Sequence, residues 1–149
     1  MRAILQRVKR GRVYVAEKLS GDVQRGYVIL LGVTHGDGPA EAAKLAEKIA
    51  RLRVFEDEQG KMNLSALDVD ADVLVISQFT LFADTRKGRR PSFSQAAPPE
   101  IAEPLIARFI DQLRTLGINR VETGIFGAKM LVHIENEGPV TVILDTDAW

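Results

Sequence analysis

The sequence predicts an α+β fold, with mostly antiparallel β-sheets forming a barrel-like core and two packing helices. Three observations predict it. Apolar and β-branched runs recur along the chain with mostly short connections, which favours antiparallel neighbours over repeated βαβ crossovers. Two segments, opening at Gly38-Pro39 and near Pro99, instead carry apolar residues at helical spacing. Strands come first, then a helix, strands, a helix and strands again, the order of an α+β domain.

Ala3 to Val8 and Val13-Tyr14-Val15 read as two strands, joined by a basic turn at Lys9-Arg10-Gly11-Arg12 whose glycine suits a tight hairpin. Tyr27 to Val33 is too continuously apolar to have a wet face and reads as a central, buried strand. Pro39 takes the first position of a helix, with Glu41 near the positive end of its dipole. Ala42, Leu45, Ala46, Ile49 and Leu52 form the inner stripe of that helix and leave Lys44, Glu47, Lys48 and Arg51 outside. Val54-Phe55 leads into a turn at Glu56 to Gly60, and Val73 to Ile76 is a second buried strand ending at Ser77. The polar stretch Ala83 to Pro99 is long for a loop inside a domain, and such loops are commonly functional or disordered. The second helix covers Pro99 to Leu116, with Leu105, Phe109, Leu113 and Leu116 on one face and Gly117 as its stop. Pro104 predicts either a kink or a start near Glu103. Arg120 to Thr123, Met130 to Glu135 and Val140 to Leu144 close the chain as strands.

A chain of 149 residues fits one domain over 1–149, long enough to bury roughly 68–70% of the surface its unfolded form exposes. The absence of cysteine removes thiolate chemistry and Cys-based zinc sites and fits a reducing compartment. Twenty basic and twenty acidic residues cancel, so any nucleic-acid contact must come from a local patch. No apolar stretch approaches the roughly 18 residues of a membrane span, and the first residues lack the apolar core of a signal peptide. A soluble, cytoplasmic protein is expected.

Standard catalytic motifs are absent, and His35 and His133 have no partners at metal-ligand spacing. His133, between Val132 and Ile134, reads as a surface-facing strand residue, and a Ser77–His133 hydrolytic pair stays open. Two segments break the strand pattern. Ser77-Gln78-Phe79-Thr80-Leu81 puts hydroxyls, an amide and free backbone N–H groups at a strand end, the ingredients of an oxyanion hole, although for this segment alone a strand end satisfied by local hydrogen bonds is the stronger reading. Asn136-Glu137-Gly138-Pro139-Val140-Thr141 reads as a hairpin turn or as a cis Gly-Pro pair able to gauge substrate shape with its backbone. Arg86, Lys87, Arg89 and Arg90 suit phosphate contacts on a flexible loop and equally fit a solvated charged loop, and Arg7, Lys9, Arg10 and Arg12 form a second candidate patch.

Those two segments together resemble the signature pair of the D-aminoacyl-tRNA deacylases of the bacterial and eukaryotic type. The resemblance runs end to end, through Gln6-Arg7-Val8, Leu30 to Val33, Gly60 to Leu64, Asp84 to Gly88, Arg90 to Ser94 and Thr123 to Ala128. It implies a hydrolase that frees D-amino acids from tRNA as a proofreading step and tolerates glycine; no metal or organic cofactor is expected. It further implies a homodimer with active sites at the interface, where a cis Gly138-Pro139 reaches into the partner's pocket. On the same resemblance Ser77, Gln78, Phe79 and Thr80 are the catalytic segment. Arg7 holds the Gly138-Pro139 carbonyls, and Phe126 and Met130 line the pocket. Thr80 has been viewed as a nucleophile in this family, and alternatively the backbone around Phe79 and Thr80 positions the substrate while the terminal adenosine's 2′-hydroxyl assists water. The second view fits the residues better, because neither Ser77 nor Thr80 has an adjacent histidine or lysine in sequence to activate it. Two rival readings are a non-catalytic tRNA-binding module and a Ser77-dependent esterase.

Overall fold

One long strand organises the sheet. In the computed structural model, which describes residues 1–149, β1 runs unbroken over Arg2–Val15. One edge of β1 carries β3 (Gly26–Gly32) along its first half and β2 (Lys18–Val23) along its second, both antiparallel, while β8 (Met130–Asp145) pairs with its other edge. The expected hairpin at Lys9 to Arg12 is therefore absent. Gly11 stands inside the strand because there is no room for more: a Cβ there would lie 2.4 Å from Val28 Cγ2. The chain reverses instead at Ala16-Glu17, both with positive φ.

From β3 the sheet continues through β6 (Asp72–Ser77) to β7 (Val121–Thr123), and these pairings are parallel. The helices are the crossovers that parallel neighbours require: α1 (Pro39–Ala50) lies between β3 and β6 in sequence, and α2 (Pro99–Thr115) between β6 and β7. This corrects the expectation that crossovers are avoided, although three of the five pairings in the six-stranded sheet remain antiparallel. β2 also touches β6 and β7, so the sheet curls into a nearly closed, barrel-like form. A small antiparallel hairpin of β4 (Phe55–Glu56) and β5 (Met62–Leu64) stands apart.

Alternation along the buried strands divides the core. Tyr27, Ile29 and Leu31 of β3, with Val73 and Val75 of β6, face the helices. Val28, Leu74 and Ile76 point the other way and meet Val8, Val13 and Val23 inside the curl. Ala42, Leu45, Ala46 and Ile49 of α1 and Leu105, Phe109 and Leu113 of α2 close the first core, as the helical spacing predicted. The Glu41 carboxylate accepts the Gly38 N–H at 2.8 Å and caps α1.

α2 starts at Pro99 and continues through Pro104 rather than beginning near Glu103. Pro104 and Glu100 are both exposed, so the carbonyl that Pro104 leaves without a donor can turn to water. No helix is long and apolar enough to cross a membrane.

Candidate active site

The parallel pairing of β3 and β6 aligns their carboxyl ends, with Leu31 opposite Ser77. In α/β sheets ligands bind beyond such ends. Here the chain leaves β6 at Ser77, Gln78 N–H donates to the Leu31 carbonyl at 2.8 Å, and residues Phe79–Phe82 form a 3₁₀ turn. Beside it opens a cavity of about 600 Å³. Ser77, Gln78 and Phe79 form one wall, Phe126 and Met130 another, and Phe93, Ala97 and Ile106 contribute from the loop and α2. None of the eighteen lining residues is an acid, a base or a cysteine.

The 3₁₀ turn explains what this wall can do. The first N–H groups of a helical turn have no partner within it. The N–H groups of Phe79 and Thr80 accordingly find no acceptor in the chain, whereas Leu81 N–H already donates to the Gln78 carbonyl at 3.3 Å. Two adjacent free donors, one of them on a residue that lines the cavity, are the kind of group that can stabilise a developing oxyanion. The Thr80 hydroxyl is outside the cavity lining and accepts from the Gln78 side-chain amide. Phe79 is 56% exposed and meets Phe93 edge-on, with ring centroids 5.1 Å apart.

Sequence reasoning missed Arg2. Its Nη1 donates to the Leu81 carbonyl at 2.7 Å, its guanidinium lies 4.8 Å from the Phe82 ring centroid, and its Nε donates to Asp145 at 2.8 Å. It pins the turn from a point 79 residues away in sequence, a relation with no local signal. Phe93 lies within a segment already singled out, but its place at the cavity depends on the loop's return.

The other pattern break lies elsewhere on the subunit. β8 is one strand, not two joined by a hairpin, and Gly138-Pro139 sits in a bulge within it. Thr141 pairs with Gln6 and Asn136 with Val8, so Glu137 to Val140 stand opposite Arg7 alone. The Gly138-Pro139 bond is cis, and Gly138 has φ +118°, a conformation that side chains disfavour. Arg7 is buried beneath it, its Nε donating to the Glu137 carbonyl at 3.3 Å and its Nη1 to the Val54 carbonyl at 2.7 Å. Glu56 and Glu137 carboxylates lie 3.6 and 3.7 Å from the guanidinium. Below Arg7, burial pushes the Tyr27 phenol far above its ordinary pKa. Gly138, Pro139 and Arg7 line no part of the cavity that holds Ser77.

Arg86, Lys87, Arg89 and Arg90 are all exposed on a loop whose base is closed by paired backbone hydrogen bonds between Asp84 and Ser92, 2.7 and 2.9 Å long. Arg86 is not free. Its Nε and Nη2 donate to the two Asp84 carboxylate oxygens at 2.9 and 2.7 Å, and this contact holds the Asp84 pKa down to about 2. Lys87, Arg89 and Arg90 make no ion pair. The second basic patch does not form as expected: Arg7 is buried, Arg10 pairs with Asp22 at 2.8 Å and Arg12 faces Glu135 at 3.6 Å. His133 stacks at a tilt on Tyr14, 5.3 Å between centroids, and is not among the residues around Ser77. His35 is exposed and contacts the Ser94 carbonyl at 3.1 Å. No group of three or more His, Cys, Asp or Glu side chains gathers as a metal site would require.

Comparison with known proteins agrees along the whole chain. A family described as D-Tyr-tRNA(Tyr) deacylase matches residues 4–145. A D-aminoacyl-tRNA deacylase of Roseiflexus sp. (strain RS-1) is 56% identical over 146 residues, 98% of this chain and 94% of that protein. One from Syntrophomonas wolfei subsp. wolfei is 53% identical over 147 residues, covering 99% and 98%. A solved structure described as the c-Myc DNA Unwinding Element Binding Protein superposes with a TM-score of 0.92 at 41% identity, over 98% of this chain and 99% of that one.

Proposed function

This chain belongs to the D-Tyr-tRNA(Tyr) deacylase family, and from that premise we propose that it hydrolyses the ester of D-aminoacyl-tRNA, and of mischarged glycyl-tRNA, in the cytoplasm. The products are the free amino acid and tRNA. The observation that carries the reading is a cavity that no ionisable side chain lines, walled by Phe79, whose N–H and that of the next residue, Thr80, are unsatisfied. Such a wall has no general base of its own, which argues against Ser77 or Thr80 as an activated nucleophile. An aminoacyl ester is already reactive. Positioning the carbonyl, supplying oxyanion donors and admitting water are what remain to be supplied, with the terminal adenosine's 2′-hydroxyl assisting.

In this reading Ser77, Gln78, Phe79 and Thr80 form the hydrolytic wall, and Phe126 and Met130 hold the aminoacyl-adenosine end. Gly138-Pro139, fixed by Arg7, gauges configuration at the α-carbon. In the same proposal the complete site forms in a homodimer, each chain lending its Gly-Pro segment to the other; the separation of Gly138-Pro139 from the cavity within one subunit supports this. Lys87, Arg89 and Arg90 meet tRNA phosphates, while Arg86 chiefly braces their loop through Asp84. A gauge made of backbone at the α-carbon tolerates many side chains.

The test is ester loss from matched D- and L-aminoacyl-tRNA. Rapid release from the D-form and none from the L-form is expected. Equal rates, or no turnover with intact binding, would overturn the reading and favour a binding module.

A further inference from the structure

A groove between α1 and the chain's last turn takes no part in the site above. Lys44, Lys48, Arg51, Arg53, Glu47 and Trp149 line most of it, around a volume of about 650 Å³. A charged outer face is ordinary for an amphipathic helix, but two observations set this one apart. Four cationic side chains line it with one acidic side chain, although the chain as a whole is neutral. That carboxylate, Glu47, is engaged by Arg51 at 3.4 Å, and neither Lys44 nor Lys48 forms an ion pair within 4.0 Å. Arg53 is held in place by the Asn63 carbonyl at 2.6 Å.

The second observation is Trp149. The ring is 45% exposed, with Lys44 Nζ 5.0 Å from its centroid. It is a held group, because the turn Thr146–Ala148 before it is anchored: Thr146 N–H donates to the Met1 carbonyl at 2.9 Å and Asp147 N–H to the Asp145 carboxylate at 3.2 Å. An exposed aromatic face beside a line of cations is how proteins track a nucleic-acid backbone and stack a base.

We propose that this groove is a second RNA contact, in which Lys48, Arg51 and Arg53 meet phosphates and a base or ribose stacks on Trp149. The inference deepens the reading of the substrate as tRNA and rests on it. α1 begins just beyond the loop in which Thr34 pairs with Ala96 at the cavity wall. At about 1.5 Å per residue, Lys44 to Arg51 lie roughly 8–18 Å farther along the helix. The groove therefore meets the body of the RNA and not its aminoacyl end.

The variants are Lys48→Glu, Trp149→Ala and Trp149→Phe, with binding of uncharged tRNA measured across a salt series. Trp149→Ala should weaken binding about tenfold or more and Trp149→Phe should restore most of it. Lys48→Glu should flatten the salt slope by about one. On D-aminoacyl-tRNA, KM should rise by the same factors at unchanged kcat, and cleavage of a D-aminoacyl ester of adenosine alone should not change. Unaltered tRNA affinity in the Lys48 and Trp149 variants would sink the proposal, as would an equal loss on the short ester. If the wild type cleaves no D-aminoacyl ester, the deacylase reading fails, and the binding series still decides this one.

Discussion

The proposed chemistry rests on two backbone atoms. The N–H groups of Phe79 and Thr80 are unpaired because they open a 3₁₀ turn, and that turn exists because β6 ends beside Leu31 and Arg2 grips the Leu81 carbonyl. The side chain and the backbone of Thr80 can be separated experimentally. Thr80→Ala loses the hydrogen bond from Gln78, worth about 1 kcal/mol, and should lower kcat less than about tenfold. Thr80→Pro deletes one donor and drives Phe79 out of its helical conformation, so kcat should fall at least about 10²–10³-fold. Single-turnover hydrolysis of D-aminoacyl-tRNA, with circular dichroism to confirm folding, distinguishes the two. If Thr80→Ala abolished turnover while still binding substrate, a hydroxyl nucleophile would have to be reinstated.

At the scale of elements, glycine marks where a sequence pattern and a fold part company. Gly11 in a basic run suggests a turn, yet it lies within β1 because Val28 and Val23 crowd it from the barrel interior. Gly26 is tighter still: a Cβ would lie 1.8 Å from the Asp72 carbonyl oxygen, which is backbone and cannot step aside. Gly11→Ala should therefore cost about 1–3 kcal/mol, and Gly26→Ala more, in urea unfolding followed by fluorescence. Equal midpoints for both variants and wild type would refute this account. The same contrast explains what was legible. α1 and α2 follow from local periodicity, and β3 and β6 from apolar runs, because burial on both faces leaves its mark in composition. The continuity of β1 and β8, and the parallel β3–β6 pair, depend on partners far away in sequence. The polar end of β6 showed as a break in pattern, whereas Arg2 and Ile106 at or around the cavity carry no such mark.

The whole molecule poses a problem of assembly. β8 pairs with β1 alone, so its other edge is open along Met130–Asp145, and Leu131 and Ile143 on it are 63% and 69% exposed. A long strand edge with exposed apolar side chains invites another chain. The Gly138-Pro139 bulge is part of the same strand, outside its own chain's cavity. A two-fold arrangement that covers β8 would carry each Gly-Pro segment toward a second subunit, and isologous contact gives both sites the same composition. This has a consequence that a self-contained site does not share. In the proposed dimer Thr80→Pro would remove the wall and Pro139→Ala the gauge, so each homodimer should be inactive. In a mixed dimer one site combines both defects, while the other pairs an intact wall with an intact gauge. Coexpression should restore about one quarter of wild-type activity, the fraction expected from random pairing of two chains about a two-fold axis. If each subunit held its own complete site, the mixture would stay as inactive as either parent.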